Sequence, residues 1–281
     1  EVTEYKRSTD LATGRYTMQM VRTAKTFPFA PGPVQRQYQG LDGDVAYNVG
    51  GPQNAATRAS EMVARDRRLE ALHHPLTAIR AALDPTSKVT DLHTEGRLQV
   101  VNVTTAKGDM FTLAVDLSSH LPTAVRSTAY NANLGDVVIQ TVFADYADAG
   151  GLKLPTHLQT KLDKDVALDL KVSSNKVDAD VGDLTAPADA VAAEVPPMYP
   201  VYDIKPVQVA KGIWMLPASH NSVVFEFKDH LTLLEVPLNE SRAQAVIAAA
   251  KALVPGKPLT NVIVTHHHFD HTGGLRAAIA E

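Results

Sequence analysis

Four side chains that commonly bind metal ions lie within six consecutive positions near the end of the 281-residue chain: His266, His268, Asp270 and His271. Imidazole nitrogens and a carboxylate oxygen suit zinc, and they also bind iron and manganese. Because alternate residues of an extended chain project to the same side, His266 and His268 are predicted to bind one ion while His267 points away. Asp270 and His271 are predicted to turn towards a neighbouring ion.

The elements that must position these residues form a strand, helix and strand in sequence. Leu231 to Val236 predicts a strand, and Asn239 is predicted to cap a helix that ends at Gly256. The apolar run Val262 to Val264 is typical of a strand that is buried on both faces. Two parallel strands joined by a helix collect ligands beyond their carboxyl ends, where the four metal-binding residues lie.

Two glycines follow the metal-binding residues. Gly273 and Gly274 permit a tight turn into a helix that is predicted over Leu275 to Ala280. The alternative interpretation is a solvated histidine-rich loop. The position directly after a buried strand favours a metal site instead.

The region from Val207 to Glu281 resembles the opening part of a metallo-beta-lactamase-fold hydrolase. The resemblance rests on the HxHxDH pattern and on an early hairpin, formed by Val207 to Leu216 and Asn221 to Val236. It implies the first half of a four-layer αββα domain. It also implies two zinc ions in the complete domain, the first bound by His266 and His268 and the second by Asp270 and His271.

Hydrolysis of a small-molecule substrate by a metal-bound hydroxide is the activity that this resemblance implies, with Asp270 as a catalytic carboxylate. His220 and Asn221 lie in the loop between the two early strands, and they are predicted to contact the substrate. Relatives often carry an aspartate near the position of Glu235. Glu235 itself either supports the metal-binding residues or faces solvent. The family supplies its remaining ligands from downstream segments. They are expected beyond Glu281, and the chain alone is expected to be an inactive fragment.

The amino-terminal part of the chain is of a different character. Alternating residues with turn signals predict strands from Glu1 to Gly50, and two helices are predicted over Ala55 to Leu72 and Pro75 to Leu83. A meander of six strands is predicted to follow, with bounds Arg97 to Thr105, Met110 to Leu117, Thr123 to Tyr130, Val137 to Tyr146, Thr156 to Leu162 and Ala167 to Val172.

These strands resemble the curved antiparallel half-barrel of outer-membrane lipoprotein carriers and sorting proteins. The resemblance rests on strand-turn-strand segments such as Phe143 to Pro155. It implies a concave apolar face that can hold a lipid or another hydrophobic ligand. The predicted architecture is therefore α+β, with a half-barrel over 1–182, an Ala- and Pro-rich linker without regular structure over 183–206, and the metallo-beta-lactamase-type domain over 207–281.

Composition restricts the class of protein. The net charge of −4 and the 44% hydrophobic content are ordinary for a globular protein and give no indication of a nucleic-acid partner. No apolar run is long enough to predict a transmembrane segment. The chain has no cysteine, which excludes thiol nucleophiles and fits a periplasmic or secreted location.

Two alternatives to a metallo-hydrolase remain open. Some relatives of the fold bind one iron ion with the same ligands and act as dioxygenases, which metal analysis would distinguish. The second alternative is a module that binds lipid or another hydrophobic ligand through the amino-terminal domain.

Overall fold

The computed structural model describes residues 1–23, 34–50, 54–131, 134–197 and 201–281. Within these residues the chain is mostly β-sheet with few helices, in agreement with the α+β class. It divides into two compact units. The first unit is Glu1–Ala129 with Val138–Met198, and the second unit is Tyr130–Val137 with Tyr199–Glu281.

A five-stranded antiparallel sheet opens the first unit, and its strands follow one another in chain order. They are β1 (Val2–Thr9), β2 (Tyr16–Thr23), β3 (Val34–Asp42), β4 (Val45–Gly50) and β5 (Ala55–Arg58). The predicted strands over 1–50 are therefore confirmed where the chain is described, and the part of that prediction at 24–33 lies outside the described residues.

Two helices follow, α1 (Glu61–Leu72) and α2 (Pro75–Leu83). The bounds of α2 are those predicted, whereas the prediction that α1 begins at Ala55 is wrong. The residues before it form β5 instead, because their main chain pairs with β4. Helix α1 begins only after Ser60, whose hydroxyl accepts a hydrogen bond from the Val63 N–H.

The second sheet has seven strands, again in chain order. They are β6 (Lys88–Glu95), β7 (Leu98–Thr104), β8 (Met110–Asp116), β9 (Pro122–Asn131), β10 (Gly135–Ala149), β11 (Leu152–Leu162) and β12 (Asp165–Lys171). The six predicted strands are confirmed with boundary differences of up to four residues, and β6 is an additional strand. The apolar faces of both helices pack on this sheet, where Leu69 and Ala78 are buried together with Phe111 and Val125.

A buried histidine at the end of α1 joins the helix to the second sheet. His73 Nδ1 lies 2.9 Å from Thr141 Oγ1, and His73 Nε2 lies 2.8 Å from Ser127 Oγ. Burial, with a smaller effect of the nearby Arg7 charge, lowers the pKa of His73 to about 4. The same causes lower the pKa of the neighbouring His74 to about 3.

The segment predicted to be an irregular linker contains a short helix, α3 (Ala188–Ala192). Ala186 and Ala190 are buried against Tyr47 of the first unit, so apolar contacts outweigh the proline-rich composition here. Residues 198–200 of the predicted linker lie outside the described residues.

The second unit contains a five-stranded sheet of β13 (Val207–Ala210), β14 (Ile213–Leu216), β15 (Ser222–Glu226), β16 (Leu231–Leu234) and β17 (Leu259–Ile263), in that order. Strands β13 to β16 are antiparallel, and β16 pairs in parallel with β17. Helix α4 (Glu240–Leu253) connects β16 to β17, so the predicted strand-helix-strand order is confirmed. Asn239 caps α4 as predicted, because its side-chain oxygen accepts the Arg242 N–H at 2.9 Å.

One face of this sheet packs against helices. Leu231, Leu233 and Val236 form a core with Val246 of α4 and Ala277 of α6 (Leu275–Ala280), the predicted terminal helix. The prediction that the last strand is buried on both faces is wrong, since 52% of Ile263 is exposed. Strand β17 is the edge strand of the described sheet, and the helices cover its other face.

Candidate metal centre

The predicted metal-binding residues lie in the segment that follows β17, which we call the metal loop (residues 265–274). Asp270 and His271 belong to the short helix α5 (Phe269–Thr272), and His268 is its N-cap. One ligand atom from each of His266, Asp270 and His271 can be chosen so that all three lie within 4.8 Å of one another. His266 is exposed, while Asp270 and His271 are half-buried.

His268 adjoins this cluster through His266. Its Nδ1 atom lies 3.1 Å from His266 Nε2, and the two ring centroids are 4.8 Å apart. The ring of His267 is farther from that of His266, at 6.4 Å. The ring of His267 also lies near that of His268, with centroids 4.8 Å apart. The alternate histidines present nitrogen atoms to each other.

The buried carboxylate of Glu235 supports the metal loop. Its Oε1 atom accepts a hydrogen bond from the Thr265 N–H at 3.0 Å, and its Oε2 atom lies 3.2 Å from His271 Nδ1. The second contact is short but lacks hydrogen-bond direction, so Oε2 has no hydrogen-bond partner among the described residues. Of the two open interpretations of Glu235, the structure favours support of the metal loop over a solvent-facing role, since only 9% of the side chain is exposed.

Thr265 contacts two of the ring nitrogens that face away from the cluster. Its hydroxyl oxygen lies 3.2 Å from His266 Nδ1 and 3.5 Å from His271 Nδ1. The hydroxyl has one proton and can either donate or accept, so these contacts hold the two rings in place and are compatible with either tautomer. The Nε2 atom of His271 lies 3.4 Å from Asp270 Oδ2.

Main-chain hydrogen bonds join the metal loop to the segment that follows β16. The N–H groups of Val236 and Leu238 donate to the carbonyl oxygens of His271 and Phe269, at 3.2 and 2.9 Å, and the Gly274 N–H donates to the Val236 oxygen at 2.9 Å. Glu235 and Leu238 have positive φ angles of 68° and 71°, which turn the chain out of the sheet and towards the loop.

Close packing explains the two glycines of the metal loop. A Cβ atom on Gly273 would lie 2.2 Å from the Leu238 carbonyl oxygen, and one on Gly274 would lie 2.3 Å from Ala243 Cβ. Both glycines have negative φ angles, so the predicted tight turn into α6 does not need a left-handed backbone conformation at either of them. Their reason is the close approach of the loop to α4 and to the segment before it.

The two residues that were predicted to contact the substrate have different surroundings. His220, in the loop between β14 and β15, approaches the metal cluster, with its Nε2 atom 3.4 Å from Asp270 Oδ2. The side chain of Asn221 instead accepts a hydrogen bond from the Ala218 N–H at 3.2 Å, which stabilises the turn of that loop.

Arg242 is a functional candidate that sequence reasoning missed. The residue is fully buried, and its Nη2 atom donates to the carbonyl oxygens of Leu216 and His220, both at 3.3 Å. Its Nε and Nη1 atoms have no hydrogen-bond partner among the described residues, and burial lowers its pKa. A cation in the first turn of a helix opposes the helix dipole, and this signal in the sequence could have drawn attention to it.

The donor atoms of the cluster fit a divalent metal ion. In a tetrahedral site with bonds of about 2.0–2.2 Å, neighbouring ligand atoms are separated by about 3.3–3.6 Å. The separations of 3.1 Å between His266 and His268 and of 3.4 Å between His271 and Asp270 are close to this value. Nitrogen and carboxylate donors of this kind suit zinc, iron or manganese.

Comparison with known proteins finds two likenesses. Residues 216–280 match the metallo-beta-lactamase superfamily. A 61-residue part of the chain is 34% identical to a linear primary-alkylsulfatase from a Pseudomonas species, and this part is 22% of the chain and 9% of that protein. The matched part of the chain thus corresponds to less than a tenth of the length of this relative.

The first unit contains a separate groove of about 520 Å³. Tyr5, Met18, Met20 and Leu168 provide much of its apolar lining, and the Glu70 carboxylate lies at its polar part. No helix in the described part of the chain is both long and apolar enough to cross a membrane.

Proposed function

We propose that the second unit carries the metal-binding residues of a metal-dependent hydrolase, in which His266 and His268 bind one zinc ion and Asp270 and His271 bind a second. The observation that carries this proposal is the convergence of these donors at the end of β17, at separations of 3.1 and 3.4 Å that are close to those of neighbouring ligands of a tetrahedral ion. The match of residues 216–280 to the metallo-beta-lactamase superfamily supports it.

An ion of this kind lowers the pKa of a bound water, so that a hydroxide nucleophile is available near neutral pH. The chain's own residues orient the donors. Glu235 and Thr265 face Nδ1 of His271 and leave its Nε2 atom for the ion. Asp270 is the carboxylate of the cluster, and it is therefore the group there that can accept a proton from an attacking water.

The chain's own donors also set an expectation for activity. Two protein ligands for each ion are fewer than the three that catalytic zinc sites commonly use. We therefore propose that these four residues by themselves bind zinc weakly and do not support turnover without further ligands. A sulfate ester of a primary alcohol is a candidate substrate class because of the alkylsulfatase likeness.

Metal titration of the full chain tests this proposal. Zinc uptake, measured by competition with a chromophoric chelator, is expected to depend on His266 and His271 and to be unaffected by His157→Ala, a control in the first unit. Absence of zinc uptake, or equal uptake by His266→Ala, would contradict a metal-dependent function. Purification with bound iron and consumption of oxygen would favour the dioxygenase alternative.

The groove of the first unit favours a second candidate function, the binding of a hydrophobic ligand. We expect a fluorescent fatty-acid probe to bind the full chain and Met20→Asp to weaken that binding, because Met20 lines the groove. Met110→Asp is the matched control, since 61% of Met110 is exposed on another strand. Equal binding by both variants would remove support for this function.

A further inference from the structure

We infer that His220 is an additional ligand of the metal centre, on the ion that Asp270 and His271 bind. This inference rests on the proposed function, and it extends the ligand set to the loop between β14 and β15. The HxHxDH pattern does not include this histidine.

The first argument is the position of the His220 ring. Its Nε2 atom lies 3.4 Å from Asp270 Oδ2, and the Nε2 atom of His271 lies 3.4 Å from the same oxygen. Both distances equal the separation expected for neighbouring ligands of a tetrahedral zinc ion, about 3.3–3.6 Å. The two rings are inclined at 76° with centroids 6.3 Å apart, so they approach the carboxylate from different sides.

The second argument is the way in which the loop is held. The buried guanidinium of Arg242 donates to the carbonyl oxygens on both sides of the loop, at Leu216 and at His220 itself. Asn221 closes the turn through the Ala218 N–H. A buried cation is costly to place, and here its hydrogen bonds fix the main chain that carries the His220 ring.

The third argument is the bonding of the ring. The Nδ1 atom of His220 is buried and has no hydrogen-bond partner among the described residues. Burial of an unpaired polar atom costs free energy. The contact of Nε2 with Asp270, at 3.4 Å, is too long for a strong hydrogen bond, so neither ring nitrogen makes a strong hydrogen bond and Nε2 is the atom that is placed to bind an ion.

With His220, the second ion has three protein ligands, which is the number that catalytic zinc sites commonly use. The third ligand then comes from a position upstream of the metal loop. The same residue therefore joins the hairpin of β14 and β15 to the metal centre.

The test compares zinc affinity in the full chain and in two variants, His220→Ala and the control His230→Ala. His230 lies in the turn between β15 and β16 and contacts Asp229 and Phe227. Loss of a direct ligand should weaken one zinc equivalent at least about a hundredfold, the upper end of the effect of removing a residue that only supports a ligand. His230→Ala should bind as the unchanged chain does.

A second measurement distinguishes a ligand from a supporting residue. In the cobalt(II) form of the unchanged chain, the ring N–H proton of each metal-bound histidine gives a paramagnetically shifted NMR signal. His220→Ala should remove one such signal, and thermal unfolding of the metal-free variants should match that of the unchanged chain.

Each outcome has a distinct meaning. An affinity of His220→Ala within threefold of the unchanged chain, or an unchanged number of shifted signals, overturns the assignment of His220 and leaves the proposed function intact. If the unchanged chain takes up neither zinc nor cobalt, the proposed function and this inference both fail. Loss of affinity together with loss of one signal supports the assignment.

Discussion

Glu235 provides a test of how the second unit prepares its metal-binding residues. Replacement by glutamine keeps the size of the side chain and retains an oxygen that can accept the Thr265 N–H. The amide nitrogen of the glutamine would then lie near His271 Nδ1, where a donor disfavours a proton on that nitrogen. This favours the tautomer with the proton on Nε2, the atom that faces Asp270, and so opposes the binding of an ion there.

The size of the effect follows from the contacts. Loss of a partner that orients a metal-bound histidine typically lowers metal affinity 10- to 100-fold, which is about 1.4–2.7 kcal/mol. Glu235→Ala removes the acceptor of the Thr265 N–H as well, so it should lower the free energy of unfolding of the metal-free chain by about 1–2 kcal/mol. Glu235→Gln should lower affinity for zinc with little loss of stability.

Zinc competition and urea unfolding of the metal-free chain measure these two quantities separately. Glu226→Gln is the matched control, because Glu226, at the end of β15, forms an ion pair with Lys257 in the segment between α4 and β17, outside the metal loop. If Glu235→Gln binds zinc as tightly as the control, the carboxylate does not orient His271. If instead the free energy of zinc binding falls only by as much as the free energy of unfolding of the metal-free chain, the role of Glu235 is structural.

Three further predictions concern other parts of the chain. Gly274→Ala should lower the free energy of unfolding, measured in urea, by about 2–3 kcal/mol, because a Cβ atom there overlaps the start of α4. Gly50→Ala, with open space at its Cβ, should lower the free energy of unfolding much less. Equal losses would contradict the packing argument. The pKa of His73 is lowered to about 4, so the unfolded state binds more protons than the folded state between that pH and about 6.5. The free energy of unfolding should therefore fall by about 3 kcal/mol as the pH falls through this window. A His73→Gln variant with the same pH dependence would refute this prediction. His268→Ala should lower zinc affinity at least tenfold and His267→Ala much less, as measured by chelator competition, and equal losses would overturn the assignment of alternate histidines.

Local patterns in the sequence predict those elements whose cause is local. Helix α4 could be predicted because Asn239 is a capping residue and apolar residues recur at helical spacing after it. The strands of the second sheet could be predicted because Gly, Asp and Asn separate alternating segments. The segment Ala55–Arg58 could not, since its residues suit a helix and only pairing with β4 makes it a strand.

The metal site likewise has a part that local sequence predicts and a part that depends on packing. The types and spacing of His266 to His271 are sufficient to predict a group of metal-binding side chains. The contact of His220 with Asp270 could not be predicted, because it depends on a loop 50 residues earlier in the chain. The burial of Arg242 and the contact between Gly274 and Ala243 are likewise properties of the packed second unit.

The main-chain hydrogen bonds between the metal loop and the segment after β16 have a consequence for protein engineering. The frame that places the histidines consists of two segments 30 residues apart. Its hydrogen bonds use main-chain carbonyl groups, which every residue possesses, and N–H groups, which every residue except proline possesses. Transfer of the metal loop alone to another scaffold would leave behind half of this frame. A successful graft must carry residues 235–239 with the loop. The new scaffold must also have small side chains at the positions that pack against the two glycines.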